Sequence, residues 1–218
     1  MDDLFAAFRS PTQLGEGAVW LPGLAEKSAT ALLENILHIA ARAPFRRFLT
    51  PGGRSMSVEM TSCGACGWYS DRRGYRYVRT DPQTGRPWPD MPPLFCQLAQ
   101  DAAGRAGFKG FDPTSCLINR YGPGAKMGLH QDQDEDCPQA PIVSVSLGVP
   151  ARFAFGGLKR NDPVRQVDLL HGDVVVWGGA SRFAWHGVSP VRETFHPQTE
   201  AMRYNLTFRA INPACFQP

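Results

Sequence analysis

At 218 residues the chain is long enough for one domain with a sizeable core. A composition of 43% hydrophobic and 20% charged residues excludes a disordered chain, and a formal charge of +3 is too small to indicate a nucleic-acid partner by itself. Six cysteines at irregular spacing exclude a disulfide scaffold and read as reduced thiols of a cytoplasmic protein.

The opening Met-Asp-Asp-Leu-Phe has neither the basic start nor the apolar run of a signal peptide, and no apolar run is long enough to cross a bilayer. Residues 1–24 read as irregular, with a short strand at 19–21. Leu32, Leu33, Ile36, Leu37, Ile39 and Ala40 recur at three- and four-residue spacing and predict a helix over 25–43, closed by Pro44. Between 45 and 90 the chain reads as loops and short strands, at 55–61, 67–69 and 74–77. A second helix is expected from 92 or 93 to about 106, with proline tolerated in its first turn.

After Pro113 the pattern becomes β. Six strands are expected, at 115–121, 142–147, 152–155, 166–170, 173–177 and 203–209, punctuated by glycine turns. The high glycine and proline content, 22 and 19 residues, fits this turn-rich reading. Short strands at such spacing suggest a sandwich or jelly roll. The expected class is mainly β (α+β), a single domain with helices and loops to about 112 attached to a β core over about 113–218.

One stretch carries metal-binding potential. His130 and Asp132 are two apart, so an extended backbone turns both to one side. With a distant second histidine, His186, they would make a 2-His-1-carboxylate set. That set holds Fe(II) on one face and leaves three positions open for a chelating co-substrate and dioxygen. A lone histidine more often only hydrogen-bonds in a loop, so the pattern needs company. Arg203, Asn205, Thr207 and Arg209 share one face of the 203–209 strand, and Tyr204, Leu206 and Phe208 share the other. Two arginines on one strand face suit a dicarboxylate, since each guanidinium binds carboxylate through two N–H groups. The alternative is an ordinary half-exposed strand. Asn119 and Tyr121 share a face upstream. Tyr75 and Tyr77 lie among Arg72, Arg73, Arg76 and Arg79, which suits the bases and phosphates of a single strand or, equally, a solvated basic loop.

Taken together, Asn-Arg-Tyr-Gly-Pro-Gly at 119–124, His-Gln-Asp-Gln-Asp-Glu at 130–135, Pro-Ile-Val-Ser-Val-Ser-Leu-Gly at 141–148, His-Gly-Asp-Val-Val-Val-Trp at 171–177 and Arg-Tyr-Asn-Leu-Thr-Phe-Arg at 203–209 resemble the bacterial AlkB dealkylases. These are Fe(II)- and 2-oxoglutarate-dependent dioxygenases. The resemblance extends to Thr-Pro-Gly-Gly at 50–53, Asp-Pro-Gln-Thr at 81–84 and the Gly-Gly loop at 156–162, nearly the whole chain.

It implies a double-stranded β-helix (jelly-roll) core carrying a nucleotide-recognition lid. His130, Asp132 and His186 would bind iron. The 2-oxoglutarate region would be Asn119, Arg120 and Tyr121 together with Arg203, Tyr204, Asn205, Leu206, Thr207, Phe208 and Arg209, with Arg209 meeting the distal carboxylate. A flipped, alkylated base would lie between Trp68 and His130. Tyr75, Arg76, Tyr77 and Arg160 would contact substrate, and Asp134 would favour the cationic bases 1-methyladenine and 3-methylcytosine. The implied reaction consumes Fe(II)-activated O2 and 2-oxoglutarate and releases succinate, CO2 and formaldehyde. The implied partner is single- or double-stranded alkylated DNA, with RNA a further candidate, met by a monomer with no membrane association.

Two readings compete. One is an enzyme of the same fold acting on tRNA, protein or a small molecule. The other is a non-catalytic jelly roll that binds nucleic acid. Cys63-Gly-Ala-Cys66 has no second pair to complete a zinc site. Met127-Gly128 and Phe183-Ala184-Trp185 depart from the family pattern beside the expected pocket and bear on which bases fit.

Overall fold

A computed structural model describes residues 9–133 and 137–212. Its first two strands, β1 (Thr12–Gly15) and β2 (Ala18–Leu21), form a hairpin that leads to helix α1 (Ala29–Arg42). The helix stops where Pro44 forces the preceding residue out of the helical region, and Ala43 is extended at φ −129° and ψ 90°. Next come β3 (Glu59–Gly64), the hairpin β4 (Gly67–Asp71) and β5 (Gly74–Val78), and α2 (Pro93–Arg105). Eight strands follow: β6 (Ser115–Tyr121), β7 (Met127–His130), β8 (Ile142–Gly148), β9 (Ala151–Phe155), β10 (Arg165–Leu169), β11 (Val174–Trp177), β12 (His186–Val188) and β13 (Arg203–Arg209).

Eleven of the strands make two facing sheets, and β4 and β5 pair only with each other. The larger runs β1-β2-β11-β8-β13-β6-β3, the smaller β10-β9-β12-β7, and all their pairings are antiparallel. This is the double-stranded β-helix, the jelly-roll core expected from the motifs. The larger sheet is buried on both faces. Outside, Leu32, Ile36, Phe95 and Ala99 of the helices meet Val143, Val145, Leu206 and Phe208. Inside, Leu117, Tyr121, Val175 and Trp177 meet Phe153, Phe155 and Val188 of the smaller sheet. Burial on both faces explains the unbroken apolar run of Val174–Trp177, whereas in β8 Ser144 and Ser146 alternate towards Asn205 and Arg203. No described helix is long and apolar enough to cross a membrane.

Several expectations shift. The strand expected over 55–61 lies at Glu59–Gly64, because Met60 and Arg46 exchange backbone hydrogen bonds (3.0 and 2.8 Å) and pairing with β6 continues to Gly64. Asp173 is not a strand residue. Its carboxylate is fully buried and accepts from Arg9, Trp20 Nε1, Gly23 N and Leu170 N, tying the N-terminal hairpin to the β10–β11 turn at the edge of the larger sheet. Strands β1, β7 and β12 had no sequence signal, being three or four residues long and containing or adjoining glycine.

Away from the sheets' interior, His171 stacks on His196 with centroids 4.2 Å apart, and its Nδ1 accepts from Gly148 N at 2.9 Å. Burial, aided by the neighbouring imidazole, pushes His171 from 6.5 down to about 4, against the opposing charge of Asp173. A lowered histidine pKa means that the unfolded chain takes up a proton first as pH falls. The melting temperature should therefore fall as pH drops from 6.5 towards about 4. Calorimetry of His171→Asn should show a shallower fall over that window.

Candidate active site

The three candidate metal ligands come from two segments joined by strand register. His130 ends β7, His186 begins β12, and the two are directly paired. Their rings consequently lie 4.4 Å apart between centroids. Asp132 follows β7 and turns into the same space. Its Oδ1 is 3.5 Å from His130 Nε2 and 3.9 Å from His186 Nε2, and the three ligand atoms lie within 4.8 Å of one another.

Hydrogen bonds fix which atoms can ligate. His130 Nδ1 donates to Gly128 O at 2.9 Å and His186 Nδ1 donates to Ala184 O at 3.0 Å, because a carbonyl can only accept. Each Nε2 lone pair is thereby turned into the shared space, the usual outer-shell arrangement of a metal-binding histidine. Arg209 donates to Asp132 Oδ2 from Nη2 at 2.6 Å and from Nε at 3.1 Å, leaving Oδ1 to the histidines. Burial pushes the Asp132 carboxyl up, but Arg209 and the two imidazoles outweigh it and hold it well below the usual carboxylate range. Burial takes His186 down to about 4. For His130, burial is outweighed by the hydrogen bond to Asp132, and its pKa is raised. An ionised carboxylate beside a neutral His186 suits a divalent cation.

Behind this group a small cavity is walled by Asn119, Tyr121, Arg203, Asn205 and Arg209. Arg203 is 1% exposed and lies over the Tyr121 ring at 4.9 Å, with Nη2 donating to Ser146 Oγ at 3.0 Å. Its Nε and Nη1 have no hydrogen-bond partner, nor does Asn119 Oδ1. Asn205 is fully engaged, with Ser144, Val145, Asn119 and Thr207. A buried guanidinium with two idle donors at the closed end of a cavity is costly unless an anion completes it. The donor set fits a dicarboxylate with one end at the metal.

Not every residue of the two strand segments meets this cavity. Arg120 turns to the opposite face, pairs with Glu59 at 2.8–2.9 Å and covers the Phe45 ring. Tyr204 packs near Phe45, Leu206 is fully buried under the helices, and Phe208 meets Phe95 edge-on at 5.9 Å. These four alternate out of the site because strand side chains point to opposite faces. Leu117, Ser144, Phe153, Trp177, Gly187 and Val188 also line the cavity and escaped sequence reading. Leu117 sits one step along the Asn119–Tyr121 face, Ser144 lines the wall, and Trp177 stands 4.9 Å from the His186 ring. Period-two spacing could have flagged Leu117.

A wider cavity of about 540 Å³ opens above the metal ligands, lined by His130, Asp132, Met127, Met56, Trp68 and Tyr75. Trp68 on β4 stacks on Tyr75 of β5, with centroids 5.5 Å apart and planes at 19°. The hairpin that carries them is anchored at its base. Gly67 lies flat on Trp88, where an added Cβ would come within 2.3 Å of the indole. Beside it, Arg46 and the fully buried Asp81 form a two-pronged ion pair.

Other expected substrate contacts lie elsewhere. Tyr77 is 4% exposed and packs with Cys66 and Ile211 below the hairpin rather than at its rim. Arg76 is committed to Asp71 at 2.8 and 2.9 Å and covers Tyr69, so its charge is already paired within the hairpin. Arg160 is exposed and lies over the Trp185 ring at 4.9 Å. Asp134 lies outside the described residues. Cys63 and Cys66 are both buried, in different apolar clusters.

A jelly roll with two histidines, a carboxylate and a cationic cavity behind them defines an Fe(II)/2-oxoglutarate oxygenase, and the family model of the 2OG-Fe(II) oxygenase superfamily matches residues 17–209. The alpha-ketoglutarate-dependent dioxygenases AlkB of Escherichia coli (strain K12) and Salmonella typhimurium are 56% and 54% identical over 211 residues, 96% of this chain and 97% of each relative. The solved structure of OsALKBH1 superposes with a TM-score of 0.79 at 28% identity, over 92% of this chain and 99% of that one. The chain belongs to the AlkB family of alpha-ketoglutarate-dependent dioxygenases. Its cofactor is Fe(II), and its co-substrates are 2-oxoglutarate and O2.

Proposed function

We propose that the enzyme removes N-methyl groups oxidatively from alkylated bases in nucleic acid, with 1-methyladenine and 3-methylcytosine in DNA as substrates, RNA as a further one, and a monomer as the working unit. The observation that carries this reading is the aromatic platform of Trp68 and Tyr75 on the same cavity as His130. A flat base lying on the indole brings its substituents towards the metal ligands.

Bound iron would supply O2 activation coupled to decarboxylation of 2-oxoglutarate. The rest falls to the chain's own groups. His130, Asp132 and His186 hold the metal through Nε2, Oδ1 and Nε2. Arg203, backed by Tyr121 and Ser146, receives the carboxylate remote from the metal. Arg209 holds Asp132, so it works at the metal end instead of the distal end expected from the resemblance. The idle donors belong to Arg203, and Arg209 has a carboxylate already.

The test is formaldehyde release from oligonucleotides carrying 1-methyladenine or 3-methylcytosine, with unmethylated strands and methylated peptides as comparisons. Turnover confined to peptides would reject the reading. Trp68→Ala should raise KM for the oligonucleotide by about 5- to 150-fold, the equivalent of about 1–3 kcal/mol per stacked base. Its affinity for 2-oxoglutarate should not change, because the indole lies outside the inner cavity.

A further inference from the structure

We propose that Arg182 is a positioning residue for the metal, holding the main chain of Asp132 against the segment that delivers His186. This rests on the metal assignment above and adds a residue that touches neither metal nor co-substrate. Arg182 follows a short turn at Gly179–Ser181, fixed by its own N–H bonding to Gly179 O at 3.0 Å. Its side chain is buried, at 2% exposure. Nη1 donates to the carbonyl of Asp132 at 3.0 Å, and Nε donates to the carbonyl of Ala140 at 3.0 Å. A single guanidinium thus ties the carbonyl of Asp132 to that of Ala140.

The tie runs in both directions. Gln131 Nε2 donates back to Phe183 O at 2.6 Å, beside Arg182. The two segments that bring the metal ligands therefore hold each other through side chain to backbone bonds. Asp132 is gripped twice, by Arg209 at its carboxylate and by Arg182 at its carbonyl. Burying a guanidinium is costly, and an apolar side chain would fill the same space more cheaply. What arginine adds is a rigid fork of donors that reaches two carbonyls at once, which lysine cannot reproduce.

Two effects of Arg182 on the metal have opposite signs, and that makes the role testable. As a charge it repels a divalent cation, so its removal would tighten binding. As a brace it keeps Oδ1 of Asp132 aimed at the histidines, so its removal would weaken binding. The brace is expected to dominate, because loss of an outer-shell partner typically costs about 10- to 100-fold in metal affinity.

Full-length metal-free protein is titrated with Mn(II) in the presence of 2-oxoglutarate, and free Mn(II) is read by electron paramagnetic resonance. Parent, Arg182→Met and Arg182→Lys are compared, with Asp132→Ala as the non-binding control. Melting temperatures of the metal-free forms are recorded alongside. The expected result is a Kd raised 10- to 100-fold in Arg182→Met, on the order seen for outer-shell losses, and to a lesser degree in Arg182→Lys. Unchanged affinity in both variants, or tighter binding in Arg182→Met with Arg182→Lys like the parent, overturns the proposal. Should Arg182→Met fail to fold, Arg182→Lys decides alone, and parent-like affinity in it is the overturning result. A parent that bound no Mn(II) would overturn the metal assignment itself.

Discussion

Asp132→Ala and Asp132→Asn should both fold and should both make no succinate. Asp132 is the one anionic donor of the candidate triad, and its Oδ1 is the atom facing both imidazoles. Neither alanine nor a neutral amide replaces it for a hard divalent cation. The two variants should differ in stability, which separates loss of ligation from loss of fold. Alanine also removes the carboxylate against which Arg209 is buried, and breaking a buried ion pair costs about 3–5 kcal/mol. Asparagine keeps an oxygen for Arg209. Calorimetry should therefore rank parent above Asp132→Asn above Asp132→Ala, while succinate assays show both variants inactive. Parent-like turnover by Asp132→Asn would remove Asp132 from the metal site.

Arg203→Met should move affinity and stability in opposite directions. In the free protein two Arg203 nitrogens, Nε and Nη1, are idle in a buried setting, and burial pulls the arginine's pKa down against the favourable influence of Tyr121. Methionine fills similar volume with no such donors, so the variant should melt at or above the parent in the absence of 2-oxoglutarate. With 2-oxoglutarate the order should reverse. Truncating one partner of a buried, hydrogen-bonded charge pair costs about 2–5 kcal/mol, so affinity should fall by about 30-fold or more. Much of the stabilisation that the co-substrate gives the parent should vanish with it. Isothermal titration with 2-oxoglutarate and paired melting curves with and without it test both halves. If Arg209→Met alone lost the affinity while Arg203→Met kept it, the assignment of the distal carboxylate would be reversed.

Much of this site was legible in the chain because its chemistry is local. His130 and Asp132 stand two apart at a strand end, and the strict alternation of Arg203–Arg209 separates pocket side chains from core side chains. What stayed hidden is carried by long-range pairing. His186 was picked out in the chain, but the pairing that sets it against His130 comes from the register of two strands three and four residues long, neither with a periodic signal. Arg76 and Tyr77 looked like rim residues because their partners, Asp71 for one and the Cys66–Ile211 cluster for the other, appear only once the hairpin folds. The contrast between Arg203 and Arg209 has the same origin. Both are arginines on one strand face, and only the approach of Asp132 to one of them tells them apart.

Strand β13 lies inside the larger sheet, between β8 and β6, with both its faces covered, Phe208 and Leu206 under the helices and Arg203, Asn205 and Arg209 over the pocket. Gaining or losing a single residue there would invert the strand, sending guanidinium groups into hydrocarbon and aromatic rings into the dicarboxylate cavity. The segment should consequently accept point changes far better than length changes.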